Sequence, residues 1–300
     1  MKGDTHITIL TDPRYLEPAT NDAYVRNILQ EDRLLMDALS GRGLRVDRRS
    51  WDDRSVDWSR TEYILFRSTW DYFDRFPEFD SWLEEVRKAT RMINPYPVIR
   101  WNLDKHYLEE LCRKGVNVPP TRFILRGDGE PLARWVDRAG WDEVILKPVI
   151  SGAARHTYRF TPAGAPAHEA IFRELIGKES MMIQEFQHRV PVKGEVAFMV
   201  MGGKYTHAVL KRAKAGDFRV QDDFGGIVSG YDPTPDEIAW AEEVVTLTGL
   251  GPVYARVDAI QDNRGLLAVS ELELIEPELW FRINPEAADI LADAIIREYF

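Results

Sequence analysis

The chain has 300 residues, 44% hydrophobic and 29% charged, with 39 basic and 49 acidic side chains and a formal charge of −10. That length holds one large or two to three small domains with an ample core, and the acidic balance argues against nucleic acid or an anionic membrane as partner. The one cysteine, Cys112, excludes an intrachain disulfide and a cysteine-built metal site.

In chain order, HITILTDP (6–13) predicts a strand closed by a turn. Residues 22–40 place Val25, Ile28, Leu29, Leu35, Met36 and Leu39 at helical spacing, with Gly41 or Gly43 as the stop. LRVDRRS (44–50) and TEYILFRS (61–68) read as strands, and Pro77 opens a helix with Phe79, Trp82, Leu83 and Val86 on one face. This order to about residue 95 is a small α/β unit. The proline-rich INPYPVIRWN (93–102) reads as an irregular linker. Asn102 is then expected to cap a helix whose apolar face is Leu108, Leu111 and Cys112, with Cys112 a small buried hydrophobe. From residue 120 the texture changes to strands and hairpins: TRFIL, EVILKPVI, MMIQEF, EVAFMVM and YTHAVLK, with Met201-Gly202-Gly203-Lys204 as a tight turn. Thr234-Pro235-Asp236-Glu237 has the form of a capping box, and the last helix starts at Asn284-Pro285. The interleaving of both periods gives an α/β or α+β class. No apolar run approaches the ~18 residues of a membrane span, so a cytoplasmic protein is expected.

SELELIEPELW (270–280) carries four glutamates on what reads as a strand. Alternation puts Glu271 and Glu273 on one face. Upstream, VYARVDAI places Arg256 and Asp258 on one face of a second strand, and QDNRG between them is a hairpin turn. A two-residue loop at Asn263-Arg264 would set Arg256 opposite Glu271. Three oxygen ligands and an arginine on one face suit Mg²⁺ carrying phosphates; the alternative is a solvated face of cross-strand Arg–Glu pairs. Phosphate-binding candidates decide between them. Lys147 ends an aliphatic strand and precedes a small-residue loop, Ser151 to Ala154, whose backbone N–H groups can approach an anion. Lys105 falls in the first turn of the helix expected after Asn102, where a cation is less awkward if an anion docks there. The six histidines show no paired ligand spacing. Arg67 and Asp71 follow a strand at its C-terminal end, where they either hold a substrate carboxylate and ammonium or pair with each other.

The ordered set of Lys105, Lys147 with its loop, MIQEF, ARVD and SELEL resembles the ATP-grasp superfamily over roughly residues 100–285. The preceding region resembles the pre-ATP-grasp α/β domain. The spacing of Asp258, Glu271 and Glu273 resembles that of D-alanine–D-alanine ligases, with Glu273 where asparagine is usual. RSTWDY, NPYPVIRWNLDKHYL, VYARVD and ELELIEPELWF are similar to a bacterial subgroup that contains the cyclo-ligase of D-cycloserine biosynthesis.

The resemblance implies three units: 1–100 (pre-ATP-grasp), 101–180 (lid and central subdomain) and 181–300 (C-terminal subdomain). It implies that ATP is bound by Lys105 and Lys147 on the α- and β-phosphates and covered by Ser151 and Gly152. Gln184, Glu185 and Phe186 would offer backbone groups to adenine, and Glu195 would take the ribose hydroxyls. Asp258, Glu271 and Glu273 would bind Mg²⁺, as two ions. Lys211 and Arg219 would lie near the γ-phosphate and acyl phosphate, with Arg256 on the acyl phosphate and Arg67 and Asp71 on a small amino-acid-like substrate. A homodimer is the superfamily expectation. Three functions stay open: an intramolecular ligase closing O-ureido-D-serine to D-cycloserine, an intermolecular amino-acid or peptide ligase, and a nucleotide-binding protein without turnover.

Overall fold

The computed structural model describes residues 5–214 and 225–300. The first unit contains β1 (His6–Thr11), α1 (Pro13–Leu16), α2 (Ala23–Gly41), β2 (Arg45–Ser50), β3 (Tyr63–Ser68), α3 (Phe76–Val86) and β4 (Arg91–Ile93). Its strands pair in parallel in the order β2-β1-β3-β4. β3 sits inside that sheet with every residue buried, which is why YILF is a continuous apolar run rather than an alternating one. Asp22 caps α2 by accepting from Val25 N–H at 3.0 Å.

The segment expected to be irregular instead forms α4 (Tyr96–Asn102), followed by α5 (Tyr107–Arg113). Pro95 and Pro97 sit at the start of α4, where a missing N–H costs nothing. Asn102 therefore ends one helix and caps none. Its side chain clamps the main chain of residues 272–274, donating to Leu272 O (2.8 Å) and accepting from Leu274 N–H (2.7 Å). Cys112 is exposed, not buried; Leu108 and Leu111 take the core face of α5.

Next come β5 (Thr121–Ile124), α6 (Leu132–Ala139), β6 (Val144–Pro148), β7 (Tyr158–Phe160), α7 (Ala165–Ile176) and β8 (Met181–Glu185). These strands form an antiparallel sheet in the order β5-β8-β6-β7. β8 pairs inside this sheet although it follows the boundary expected at 180. The last part holds α8 (Val190–Lys193), β9 (Glu195–Met201), β10 (Lys204–Arg212), β11 (Ile227–Tyr231), α9 (Pro235–Leu247), β12 (Tyr254–Gln261), β13 (Leu267–Glu273) and α10 (Glu286–Tyr299). Its sheet is antiparallel in the order β11-β10-β9-β12-β13. Gly202 and Gly203 both have positive φ, as a two-residue β9–β10 turn requires. The capping box at Thr234 and Glu237 is formed, with Pro235 at the first helical position.

α10 returns to the first unit. Leu291 and Ile295 share one core with Leu35, Leu39 and Ile9, so the first and third sheets are joined by buried apolar contact. Among the described residues, no helix is long and apolar enough to cross a membrane.

Candidate active site

A cleft of about 400 Å³ lies where the three sheets meet, and acidic side chains outnumber basic ones in its lining. Its floor is the β12–β13 hairpin. The observed register pairs Arg256 with Glu273 and Asp258 with Glu271, not Arg256 with Glu271. The connection spans residues 262–266 rather than two residues, and a bulge at Ser270 adds a further one-residue shift. The total displacement is two residues, so the side chains keep their face. Arg256 reaches two of the three carboxylates on it: Nη2 meets Asp258 Oδ2 at 2.8 Å and also contacts Glu273 Oε1.

Lys211, from β10, donates to Glu195 (2.5 Å) and Asp258 (3.0 Å). Glu195 also accepts from Ser270 Oγ at 2.7 Å. Lys105, between α4 and α5, bonds Glu271 (2.8 Å) and Ser151 O (2.5 Å). Lys147 lines the cleft near Glu271 with no hydrogen bond or ion pair to any described residue. Burial lowers its pKa, which Lys105 reinforces and Glu271 opposes. The opposite holds at Glu273. Burial, with Asp258 and Glu271 adding, pushes it up to about 8 despite Arg256. Asp258 and Glu271 are held below the usual range, because Arg256 and Lys211 for the first, and Lys105 and Lys147 for the second, outweigh burial.

This donor set fits a divalent cation. Hard carboxylate oxygens line a cleft that also holds Lys105, Lys147 and Lys211, and Glu273 carries a charge that burial disfavours. Among the described residues, no three His, Cys, Asp or Glu side chains converge closely enough to hold an ion unaided. Mg²⁺ commonly takes one or two carboxylates and completes its shell with substrate phosphates.

Ser151 and Gly152 line the cleft, and Ser151 Oγ donates to Arg155 O at 3.1 Å. Gln184, Glu185 and Phe186 line it too, but the N–H groups of the last two are donated to Pro120 O and Glu143 O. The next N–H, that of Gln187, has no partner among the described residues. Arg219 lies outside the described residues.

Arg67 and Asp71 do not line the cleft. Arg67 is 3% exposed and donates to Glu31 at 2.8 Å; Glu31 also accepts from Leu279 N–H and Phe281 N–H. Asp71 accepts from Trp51 Nε1 (2.7 Å) and Arg75 (2.9 Å). Neither side chain reaches the cleft in this structure, and each is held by a partner 20 or more residues away that the local sequence does not reveal.

Several site residues went unread in the sequence. Asn94 Nδ2 donates to Tyr254 O and Leu274 O, and with Asn102 and Tyr107 it pins the acidic edge strand. Trp280, at φ +47°, lies beneath Arg256 and Lys211, whose cationic groups stand 5.1 and 5.7 Å from its ring centre. Tyr72 and Glu276 face each other across the cleft wall. The signal for the asparagines was their place beside prolines and helix ends; their partners lie more than 150 residues away.

Residues 7–94 match the family D-cycloserine synthetase DcsG, N-terminal domain. The cycloserine biosynthesis protein DcsG of Streptomyces lavendulae is 31% identical over 273 residues, covering 87% of this chain and 91% of that one. The crystal structure of D-cycloserine synthetase DcsG superposes with a TM-score of 0.85 at 28% identity, covering 97% and 99% of the two chains. The ATP-grasp ligase PsnB, complexed with a variant of its minimal precursor, Mg and ADP, matches at a TM-score of 0.63 over 98% of each chain. At 16% identity it shares the fold alone.

Proposed function

The chain belongs to the DcsG family of ATP-grasp ligases, and from that premise we propose that it closes O-ureido-D-serine to D-cycloserine at the expense of ATP. The carrying observation is the pairing of an acidic floor (Asp258, Glu271, Glu273) with Lys147, a cleft lysine that has no hydrogen-bond or ion-pair partner among the described residues. A cation left unpaired in a buried cleft is costly unless an anion arrives, and a nucleotide phosphate supplies one.

In this reading Lys105 and Lys147 hold the α- and β-phosphates. Ser151 and Gly152 cover them, and Glu195 meets the ribose. Adenine is held beside Gln184 by the carbonyl of Glu185 and the N–H of Gln187, which has no partner among the described residues, since the N–H groups of Glu185 and Phe186 are already spent. Asp258, Glu271 and Glu273 would hold Mg²⁺, as two ions, which neutralise the phosphate charge when bound. The substrate carboxylate attacks the γ-phosphorus and ADP leaves. Arg256, with Lys211 and Arg219, neutralises the acyl phosphate. The ureido nitrogen then attacks the acyl carbon, loses its proton, and phosphate departs. Water releases the carbamoyl group as CO₂ and ammonia. A tethered nitrogen carries a high effective molarity, so no second amine has to be bound.

Incubation with ATP, Mg²⁺ and O-ureido-D-serine alone should give D-cycloserine, ADP and phosphate, followed by mass spectrometry. A condensed product that forms only with an added amino acid would establish the intermolecular ligase instead. Nucleotide binding without ADP release under either condition would establish the third reading.

A further inference from the structure

We propose that the Glu276 carboxylate is the counter-ion for the α-ammonium group of the substrate and so sets the enzyme's preference for an α-amino acid; this rests on the carboxylate-activating reading above. Its acidic neighbours in the chain are both held: Glu273 contacts Arg256, and Glu278 contacts Arg282. Glu276 lines the same cleft, yet no lysine, arginine or histidine among the described residues stands within ion-pair distance of it. Its carboxylate faces the Tyr72 hydroxyl, a neutral donor. Burial pushes the carboxyl up to about 7, so ionisation is disfavoured until a positive group arrives.

The position is built, not incidental. Trp70 Nε1 donates to Glu276 O at 2.8 Å, so the segment carrying Tyr72 fixes both the main chain and the carboxylate. The adjoining wall is aromatic, with Tyr15 and Trp70 meeting edge to face at 5.8 Å. Aromatic faces favour an ammonium over a neutral group. Lys105, itself bonded to Glu271, and Arg256 lie close enough to act on Glu276 electrostatically without pairing with it. A zwitterionic amino acid between the two has its carboxylate toward Arg256 and its ammonium toward Glu276. The pairing also has a chemical use. An α-amine kept protonated cannot compete with the ureido nitrogen for the acyl phosphate.

The test compares O-ureido-D-serine with its des-amino analogue, 3-(ureidooxy)propanoate, in wild type, Glu276→Gln and Glu276→Asp. ADP release gives kcat/KM, and calorimetry with Mg²⁺ and a non-hydrolysable ATP analogue reports folding and the nucleotide site. Wild type should prefer the amino compound by about 10²-fold, the scale of a lost charge-assisted contact in a buried site. Glu276→Gln should erase that preference by lowering only the amino compound, with nucleotide affinity unchanged, and Glu276→Asp should retain part of it. A Glu276→Gln protein that loses both compounds alike, weakens nucleotide binding, or keeps the preference overturns the proposal. If wild type ignores O-ureido-D-serine, the cyclisation reading fails by itself. The same comparison then uses whichever amino acid drives ADP release, paired with its des-amino analogue. If no amino acid does so, Glu276 has no ammonium to bind and the proposal falls.

Discussion

Lys147 shows how one side chain can be read from sequence while its reason cannot. A lysine at the end of VILK followed by small residues suggested an anion, yet an ordinary strand end reads the same way. What favours the first is that its half-buried ammonium has no partner among the described residues, Glu271 being already occupied by Lys105. Arg67 is the converse case. Its strand-end position was read correctly, but α2 brings Glu31 beneath it and residues 279 and 281 close the other side. No local pattern reports a contact between residues about 250 positions apart. Lys147→Ala should weaken nucleotide binding about ten- to a hundredfold by calorimetry, as expected for loss of a charge-assisted contact. It should leave the thermal midpoint of the nucleotide-free protein unchanged or higher, because it removes a half-buried charge that has no partner among the described residues. A lower midpoint with normal nucleotide affinity would make Lys147 a structural residue.

Among elements, the β12–β13 hairpin was legible in its faces and not in its register. Alternation correctly put Arg256, Asp258, Glu271 and Glu273 together, because a two-residue displacement preserves side-chain parity. The bulge at Ser270 and the longer connection were invisible, since each depends on hydrogen bonds made elsewhere. Asp262 anchors that connection. It accepts from Asn117, Arg264 and the Leu266 N–H, and it is 4% exposed. Burial alone would raise its pKa, but those donors together pull it down to about 2. A carboxyl depressed in the folded state stabilises it above the unfolded pKa, and that stability drains away as pH falls from about 4 toward 2. The full linkage is worth about 2 kcal/mol. Asp262→Asn should therefore lower urea stability at pH 7 by about 1–2 kcal/mol. It should also narrow the gap to wild type as pH drops below 4. A constant gap from pH 7 to pH 3 would assign the effect to packing instead of charge.

At the scale of the molecule, texture alone separated a small α/β unit from a remainder of strands and hairpins, and the structure makes the first sheet parallel and the others antiparallel. The joining of the units escaped it, because they meet through contacts that no single segment encodes. One junction bears directly on the cleft. The small-residue loop runs through Ala153, Ala154 and His156 in left-handed conformations that side chains rarely adopt. It is held against the first unit by Arg155, whose Nε lies 3.1 Å from Asp74, and by the close seating of Gly152 on the Phe73 ring. A Cβ on Gly152 would stand 2.6 Å from Phe73 Cε1, so glycine is required there by contact, not by turn geometry. Gly152→Ala should lift the loop off the cleft and lower kcat/KM for ADP formation about ten- to a hundredfold, the scale of a roughly 1 Å misplacement. The cause is the ring, so Phe73→Leu in the same protein should recover much of the loss while costing little alone. The double-mutant cycle should give a coupling of about 0.5–3 kcal/mol, as for residues in contact. Strictly additive effects would mean that the loop is not positioned by Phe73, and that the first unit does not help to hold the loop over the cleft.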